Sequence, residues 1–117
     1  MDGSIFEGIA ADDLCVLFGG ALDNAIEAAM KITDAERRLI HVKGMEQQGY
    51  LAVCVENINE TPVEYVDGNI ITTKAEKDIH GYGIKGIKFI AEKYGGNINI
   101  IQEGDWFRLT VLLKKQV

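Results

Sequence analysis

The chain has 117 residues, which is enough for one domain with its own core. Its formal net charge of −6 disfavours a nucleic-acid-binding surface. No apolar run approaches the ~20 residues needed to cross a bilayer, and the N-terminus lacks a basic-then-apolar secretion signal. We expect a cytosolic domain in which Cys15 and Cys54 are buried thiols without metal-binding spacing.

Apolar periodicity predicts two helices. The first covers 12–30, where apolar residues recur at three- and four-residue spacing, and Asp12 or Asp13 can cap its start. The second covers 83–94 and ends at a glycine pair, which is a common helix stop signal.

Alternating apolar and polar residues predict strands. A short segment over 4–9 is interpreted as the first strand, and the others form two pairs joined by short turns: 38–44 with 50–57, and 97–102 with 106–113. Short turns imply antiparallel pairing. We therefore expect an α/β two-layer sandwich, with a mixed, mostly antiparallel sheet and both helices on one face. Residues 58–80 lack a sustained period and are expected to form a functional loop.

A glycine-rich motif, His80-Gly81-Tyr82-Gly83-Ile84-Lys85-Gly86, stands where this loop meets the second helix. Glycines let the backbone approach a ligand, and a helix N-terminus offers free N–H groups and a positive dipole end, which suits phosphate. The motif also has the G-x-G-x-x-G spacing of a dinucleotide-binding turn. That alternative needs a strand leading into the glycines, whereas the charged segment 74–79 precedes them, so it is disfavoured.

Asn24 and Glu27 lie three residues apart and project from nearly the same face of the first helix. An amide and a carboxylate there can hold a hard cation through oxygen ligands, and Mg²⁺ bound in this way usually carries nucleotide phosphates. The alternative is that both side chains belong to the solvated side of an amphipathic helix.

Three segments together resemble the ATP-binding catalytic domain of sensor histidine kinases, members of the GHKL superfamily, and most closely the quorum-sensing peptide-receptor type. Residues 22–28 (Leu-Asp-Asn-Ala-Ile-Glu-Ala) look like the N box, 72–74 like the lid motif and 80–87 like the second glycine box. The likeness covers nearly the whole chain. It implies one ATP-binding domain over 1–117, with an ATP lid over about 58–82.

The resemblance also implies roles for individual residues. Asn24 would bind Mg²⁺ and act with Glu27 at the catalytic centre. Asn57 would contact adenine where the superfamily usually has the Asp of a D-x-G-x-G motif, although neither glycine of that motif is present. The nucleotide-binding residues implied in this way are Asn24, Asn57, Thr73, Lys74, His80, Gly81, Tyr82, Gly83, Ile84 and Lys85.

Gly20 stands four residues before Asn24, where the superfamily's ATPases carry a Glu that acts as a general base. Its absence favours phosphoryl transfer over hydrolysis. The resemblance implies an acceptor histidine on a separate dimerisation domain, since neither His41 nor His80 looks like an acceptor. It further implies a cytoplasmic domain of a membrane-anchored bacterial receptor, a downstream response regulator, and no membrane contact by the domain itself. The alternative is a degenerate interaction domain of the same fold that no longer binds nucleotide.

Overall fold

A computed structural model describes residues 3–60, 65–66, 69–70 and 83–116. Two helices are present in this part of the chain: α1 (Ala11–Met30) and α2 (Gly83–Lys93). The strands are β1 (Ile40–Gln47), β2 (Tyr50–Ile58), β3 (Tyr65–Val66), β4 (Asn69–Ile70), β5 (Asn97–Glu103) and β6 (Trp106–Lys114). Single 3₁₀ turns occupy Gly3–Phe6 and Ala35–Arg37.

Four strands form one antiparallel sheet in the order β1-β2-β6-β5, and β3 pairs with β4 separately. The two strand pairs expected from the sequence are confirmed by the pairing of β1 with β2 and of β5 with β6. The strand expected over 4–9 is wrong, because Gly3–Phe6 is a 3₁₀ turn. Its apolar side chains, Ile5 and Phe6, pack against the core instead of pairing with a strand.

Both helices pack on one face of this sheet, which confirms the two-layer α/β sandwich. The sheet contributes buried side chains at alternate positions: Leu51, Val53, Val55, Phe107, Leu109, Val111 and Leu113. The helices cover them with Leu17, Ala21, Ala25, Ile87, Ile90 and Ala91. None of the helices that the structure describes is long and apolar enough to span a membrane.

The free thiols lie outside this core. Cys15 is exposed and Cys54 is partly buried, so the expectation of two buried thiols is wrong for Cys15. Leu17 is completely buried on α1. A residue two positions away lies on the opposite side of a helix, which explains why Cys15 faces solvent.

A buried carboxylate links the start of α1 to the end of α2. Asp13 is 9% exposed and accepts hydrogen bonds from Lys93 Nζ, at 2.9 Å, and from the Tyr94 hydroxyl. The Tyr94 oxygen in turn accepts the N–H of Ala10 at 3.1 Å. The expectation that Asp12 or Asp13 caps α1 is wrong, since Ala10 occupies the N-cap position. The hydrogen bonds from Lys93 and Tyr94 hold the pKa of Asp13 below its ordinary value, against the opposing effect of burial.

The second contact between the helices depends on Gly20. A Cβ atom at Gly20 would lie 3.2 Å from Ile87 Cδ1 and 3.3 Å from the carbonyl oxygen of Gly83. The first turn of α2 therefore rests directly on α1. At Gly19, one position earlier, a Cβ would meet nothing within 4 Å.

The Asp13 contact predicts how stability responds to acid. Because the pKa of Asp13 is lowered by folding, its stabilising effect is complete above its unfolded-state pKa and is lost as the pH falls through the lower folded-state value. We expect Asp13→Asn to flatten the loss of unfolding free energy below about pH 4, measured by urea denaturation at several pH values. Asp12→Asn, on the exposed side of the same turn, serves as the control. Identical pH profiles for wild type and Asp13→Asn would contradict this role.

The two neighbouring glycines of α1 form a matched pair for testing the helix contact. Replacing a helical Gly by Ala ordinarily stabilises a protein by about 0.5–1 kcal/mol. Gly19→Ala should show this full gain in the free energy of unfolding. Gly20→Ala should show a smaller gain or a loss, because its methyl group presses on Ile87 and the Gly83 carbonyl. Equal gains in urea denaturation would rule out a tight contact.

Candidate functional site

The polar residues of α1 lie beside the start of α2. Asn24 and Glu27 are both half-buried, and Asn24 follows Gly20 by one helical turn. Since Gly20 faces the first turn of α2 at Gly83, Asn24 belongs to the side of α1 that is turned toward α2. Asn24 thus lies one helical turn beyond the contact between Gly20 and Gly83, and its role in binding stays a prediction.

Helix α2 begins at Gly83, the first residue after position 70 that the structure describes. A Cβ at Gly83 would meet nothing within 4 Å, and its φ is not in the left-handed region, so neither crowding nor strain among the described residues requires glycine there. Ile84 packs against the core, whereas Lys85 is exposed. The N–H groups of a helix N-terminus attract anions, and the residues that lead into this one, 71–82, lie outside the described part of the chain.

Several residues predicted for the site cannot be placed. They are Thr73, Lys74, His80, Gly81 and Tyr82, which lie outside the described residues, as does most of the segment expected to form the lid over 58–82. Their roles stay predictions.

Asn57 lies near the end of β2 and is only 1% exposed. Its Nδ2 donates to the carbonyl of Ile58 at 3.1 Å, while its buried Oδ1 has no hydrogen-bond partner among the described residues. A buried acceptor left unpaired costs about 1–3 kcal/mol. The side chain is therefore suited to accept a hydrogen bond from a bound molecule, as expected for a residue that contacts adenine.

Two ion pairs made by Arg37 hold the loops at the same end of the sheet, and no sequence pattern predicts them. Arg37 follows α1 and pairs with Glu60 at 2.8 Å and with Asp105 at 2.6 Å. These bonds raise the pKa of Arg37, with Glu60 contributing most. They join the segment before β1, the end of β2 and the turn between β5 and β6. Residues so distant in sequence leave no local pattern that could identify them.

Gln102, on β5, is a second residue missed in the sequence. Its Nε2 donates to the carbonyls of Gly104, at 2.8 Å, and of Asn59, at 3.3 Å, while its Oε1 is buried without a partner. A signal was present, because Gln102 continues the alternation of Ile98 and Ile100, two residues that pack against the core.

Asn24 and Glu27 carry oxygen groups of the kind that bind Mg²⁺ together with a nucleotide. Among the residues the structure describes, no three His, Cys, Asp or Glu side chains are grouped as a metal centre. Mg²⁺, however, is commonly bound by one or two protein oxygens together with water and substrate phosphates. The amide of Asn24 and the carboxylate of Glu27 are oxygen groups of this kind, three residues apart on α1.

Comparison with known proteins identifies the family of this domain. A search of curated proteins found no match. A family model described as the GHKL domain matches residues 9–114, a span that includes α1, Asn57, the start of α2 and the whole four-stranded sheet. Because this match covers most of the chain, the protein belongs to the GHKL family of ATP-binding domains.

Proposed function

We propose that this domain binds Mg-ATP and donates the γ-phosphoryl group to a histidine on a separate dimerisation domain, as the catalytic domain of a two-component sensor histidine kinase. The observation that carries the proposal is the buried, unpartnered Oδ1 of Asn57. The 6-amino group of adenine would donate to that oxygen and remove the cost of leaving it unpaired. Membership of the GHKL family supports ATP as the ligand.

In this proposal the phosphates extend from the base toward the start of α2. The N–H groups of the first turn of α2 would bind phosphate oxygens, and the exposed Lys85 adds positive charge. Asn24, together with Glu27, would hold Mg²⁺ beside them. The ion would neutralise charge on the transferring phosphoryl group. Further phosphate contacts are proposed, on the resemblance alone, for Thr73, Lys74, His80, Gly81 and Tyr82.

The position of His41 supports an acceptor supplied by another domain. His41 is exposed on β1, and its ring lies 5.3 Å from that of Trp106, centroid to centroid. It is opposite Glu56, the neighbour of Asn57, so it lies on the sheet face away from both helices. A phosphoryl group bound between α1 and α2 could not reach it within one domain. We accordingly propose a cytoplasmic domain of a membrane-anchored receptor of the quorum-sensing peptide type, acting on a response regulator.

Calorimetric titration with Mg-ATP tests the binding step. Asn57→Leu removes the base acceptor and Asn24→Ala removes the metal ligand, and each should weaken Mg-ATP binding by about tenfold or more, or ~1.4 kcal/mol. The effect of Asn24→Ala should disappear when ATP is titrated without Mg²⁺, whereas that of Asn57→Leu should persist. A wild-type domain that binds no Mg-ATP would contradict the proposal and favour a non-catalytic interaction domain of the same fold.

A labelling assay tests the transfer step. The domain is mixed with a separately produced dimerisation domain of its parent receptor and radiolabelled ATP, and phosphohistidine and free phosphate are followed in parallel. We expect labelled acceptor and little free phosphate, because the loss of a general base typically costs ~10²–10⁴-fold in hydrolysis rate. Rapid release of phosphate without labelled acceptor would instead identify an ATPase.

A further inference from the structure

Asn57 and Gln102 occupy one row across three strands of the sheet. Asn57 on β2 is opposite Phe107 on β6, and Phe107 is opposite Gln102 on β5. All three side chains belong to the sheet face that carries the core. Adjacent strands lie about 4.8 Å apart, so the two amide-bearing residues flank Phe107 at the end of the sheet where β2 finishes.

In each amide the nitrogen donates to backbone carbonyls, and the oxygen has no hydrogen-bond partner among the residues that the structure describes. The nitrogen of Asn57 is bonded to the Ile58 carbonyl, and that of Gln102 to the carbonyls of Gly104 and Asn59. Rotating the Gln102 amide by half a turn would set its oxygen against two carbonyl oxygens, so its orientation is determined by these neighbours.

The bond to Asn59 also determines where the Gln102 amide lies. Asn59 follows the end of β2, and its N–H donates to the carbonyl of Asp105 at 2.7 Å. The side chain of Gln102 therefore reaches from β5 across the start of β6 toward the strand that carries Asn57. Arg37 holds the carboxylate of Asp105, which keeps this end of the sheet together.

Two buried acceptor oxygens without partners consequently lie at one end of the sheet: Asn57 Oδ1 and Gln102 Oε1. Folded proteins satisfy nearly all buried polar atoms with protein, water or ligand partners. A pair of orphaned acceptors in one row is therefore suited to a ligand group that offers two N–H donors.

We propose that Gln102 is a second specificity-determining residue for the nucleotide base, accepting one hydrogen of the 6-amino group while Asn57 accepts the other. This inference rests on the proposed function. The pair selects adenine over guanine, because guanine has an oxygen at that position and would face two further acceptors. No proton transfer is involved, so the selectivity does not depend on the ionisation of either residue.

Calorimetry with three ligands tests the inference: Mg-ATP, Mg-GTP and the magnesium complex of purine riboside triphosphate, which lacks the 6-amino group. We expect the wild-type domain to bind ATP more tightly than either of the others. Gln102→Met, which keeps the length of the side chain, should weaken ATP binding about fivefold and leave binding of the purine analogue within a factor of about two. Asn99→Met, an exposed position on the same strand, is the control and should change neither affinity.

The outcomes separate this inference from the function on which it rests. If Gln102→Met weakens ATP and the purine analogue equally, Gln102 only supports the fold and the inference is wrong. If the wild-type domain binds ATP but does not distinguish it from the analogue, the inference also fails while the proposed function stands. If the wild-type domain binds none of the three ligands, both fail. Gln102→Asn, which keeps the amide but withdraws its oxygen by one methylene, gives the same comparison should the Met variant not fold.

Discussion

Gly20 and Asp13 attach α2 to α1 at two places, and the candidate site depends on that attachment. At one place the missing side chain of Gly20 lets the first turn of α2 rest on α1. At the other, Asp13 holds Lys93 and Tyr94 at the end of α2. The two positions are separated by about two helical turns, or roughly 10 Å, so they fix both the antiparallel direction of α2 and its position along α1. The start of α2 at Gly83 is thereby held against α1 at Gly20, one helical turn before Asn24.

The sheet supplies the other half of the site, and its composition changes along the strands. Successive core-facing rows are apolar, as in Val53 with Val111 and Val55 with Leu109. The next row replaces apolar side chains with Asn57 on one side of Phe107 and Gln102 on the other. At these core-facing positions the two amides bury less apolar surface than aliphatic side chains would, and their oxygens are left without hydrogen bonds. Apolar side chains at the positions of Asn57 and Gln102 would not lower the stability of the fold. The two amides are therefore best explained by binding of a ligand.

The fold was largely predictable because its elements carry strong periodic patterns. The alternation around Leu51, Val53 and Val55 predicted β2, and helical spacing predicted α1 within a residue of its observed start. The strand predicted over residues 4–9 is wrong because so short an apolar segment is compatible with both a strand and a 3₁₀ turn.

The candidate site was only partly predictable, since its contacts join residues far apart in sequence. Asn24 and Gly83 are predicted from two motifs, and Asn57 from its position where related proteins have an Asp, so the roles of all three stay predictions. The local pattern predicts that Asp13 caps α1. Its actual partner, Tyr94, lies 81 residues later, and a local pattern carries no information about such a neighbour. Gln102 is absent from the predicted site residues, although its alternation with Ile100 indicates that it lies on the buried face of β5.

Gly20 affects both the packing of α2 on α1 and the chemistry expected at the site. The sequence suggests that a general base is missing at this position, and the structure adds that a side chain there would contact Ile87 and the Gly83 carbonyl. Gly20 permits the start of α2 to lie against α1, and under the proposed function it also lacks the side chain that would activate water. A Gly20→Glu exchange would alter both properties together, so increased hydrolysis in that variant would not isolate the effect of the base. The ratio of phosphohistidine to free phosphate formed by the wild-type protein tests the missing base more directly than the variant does. The contact between the two helices is intact in that experiment.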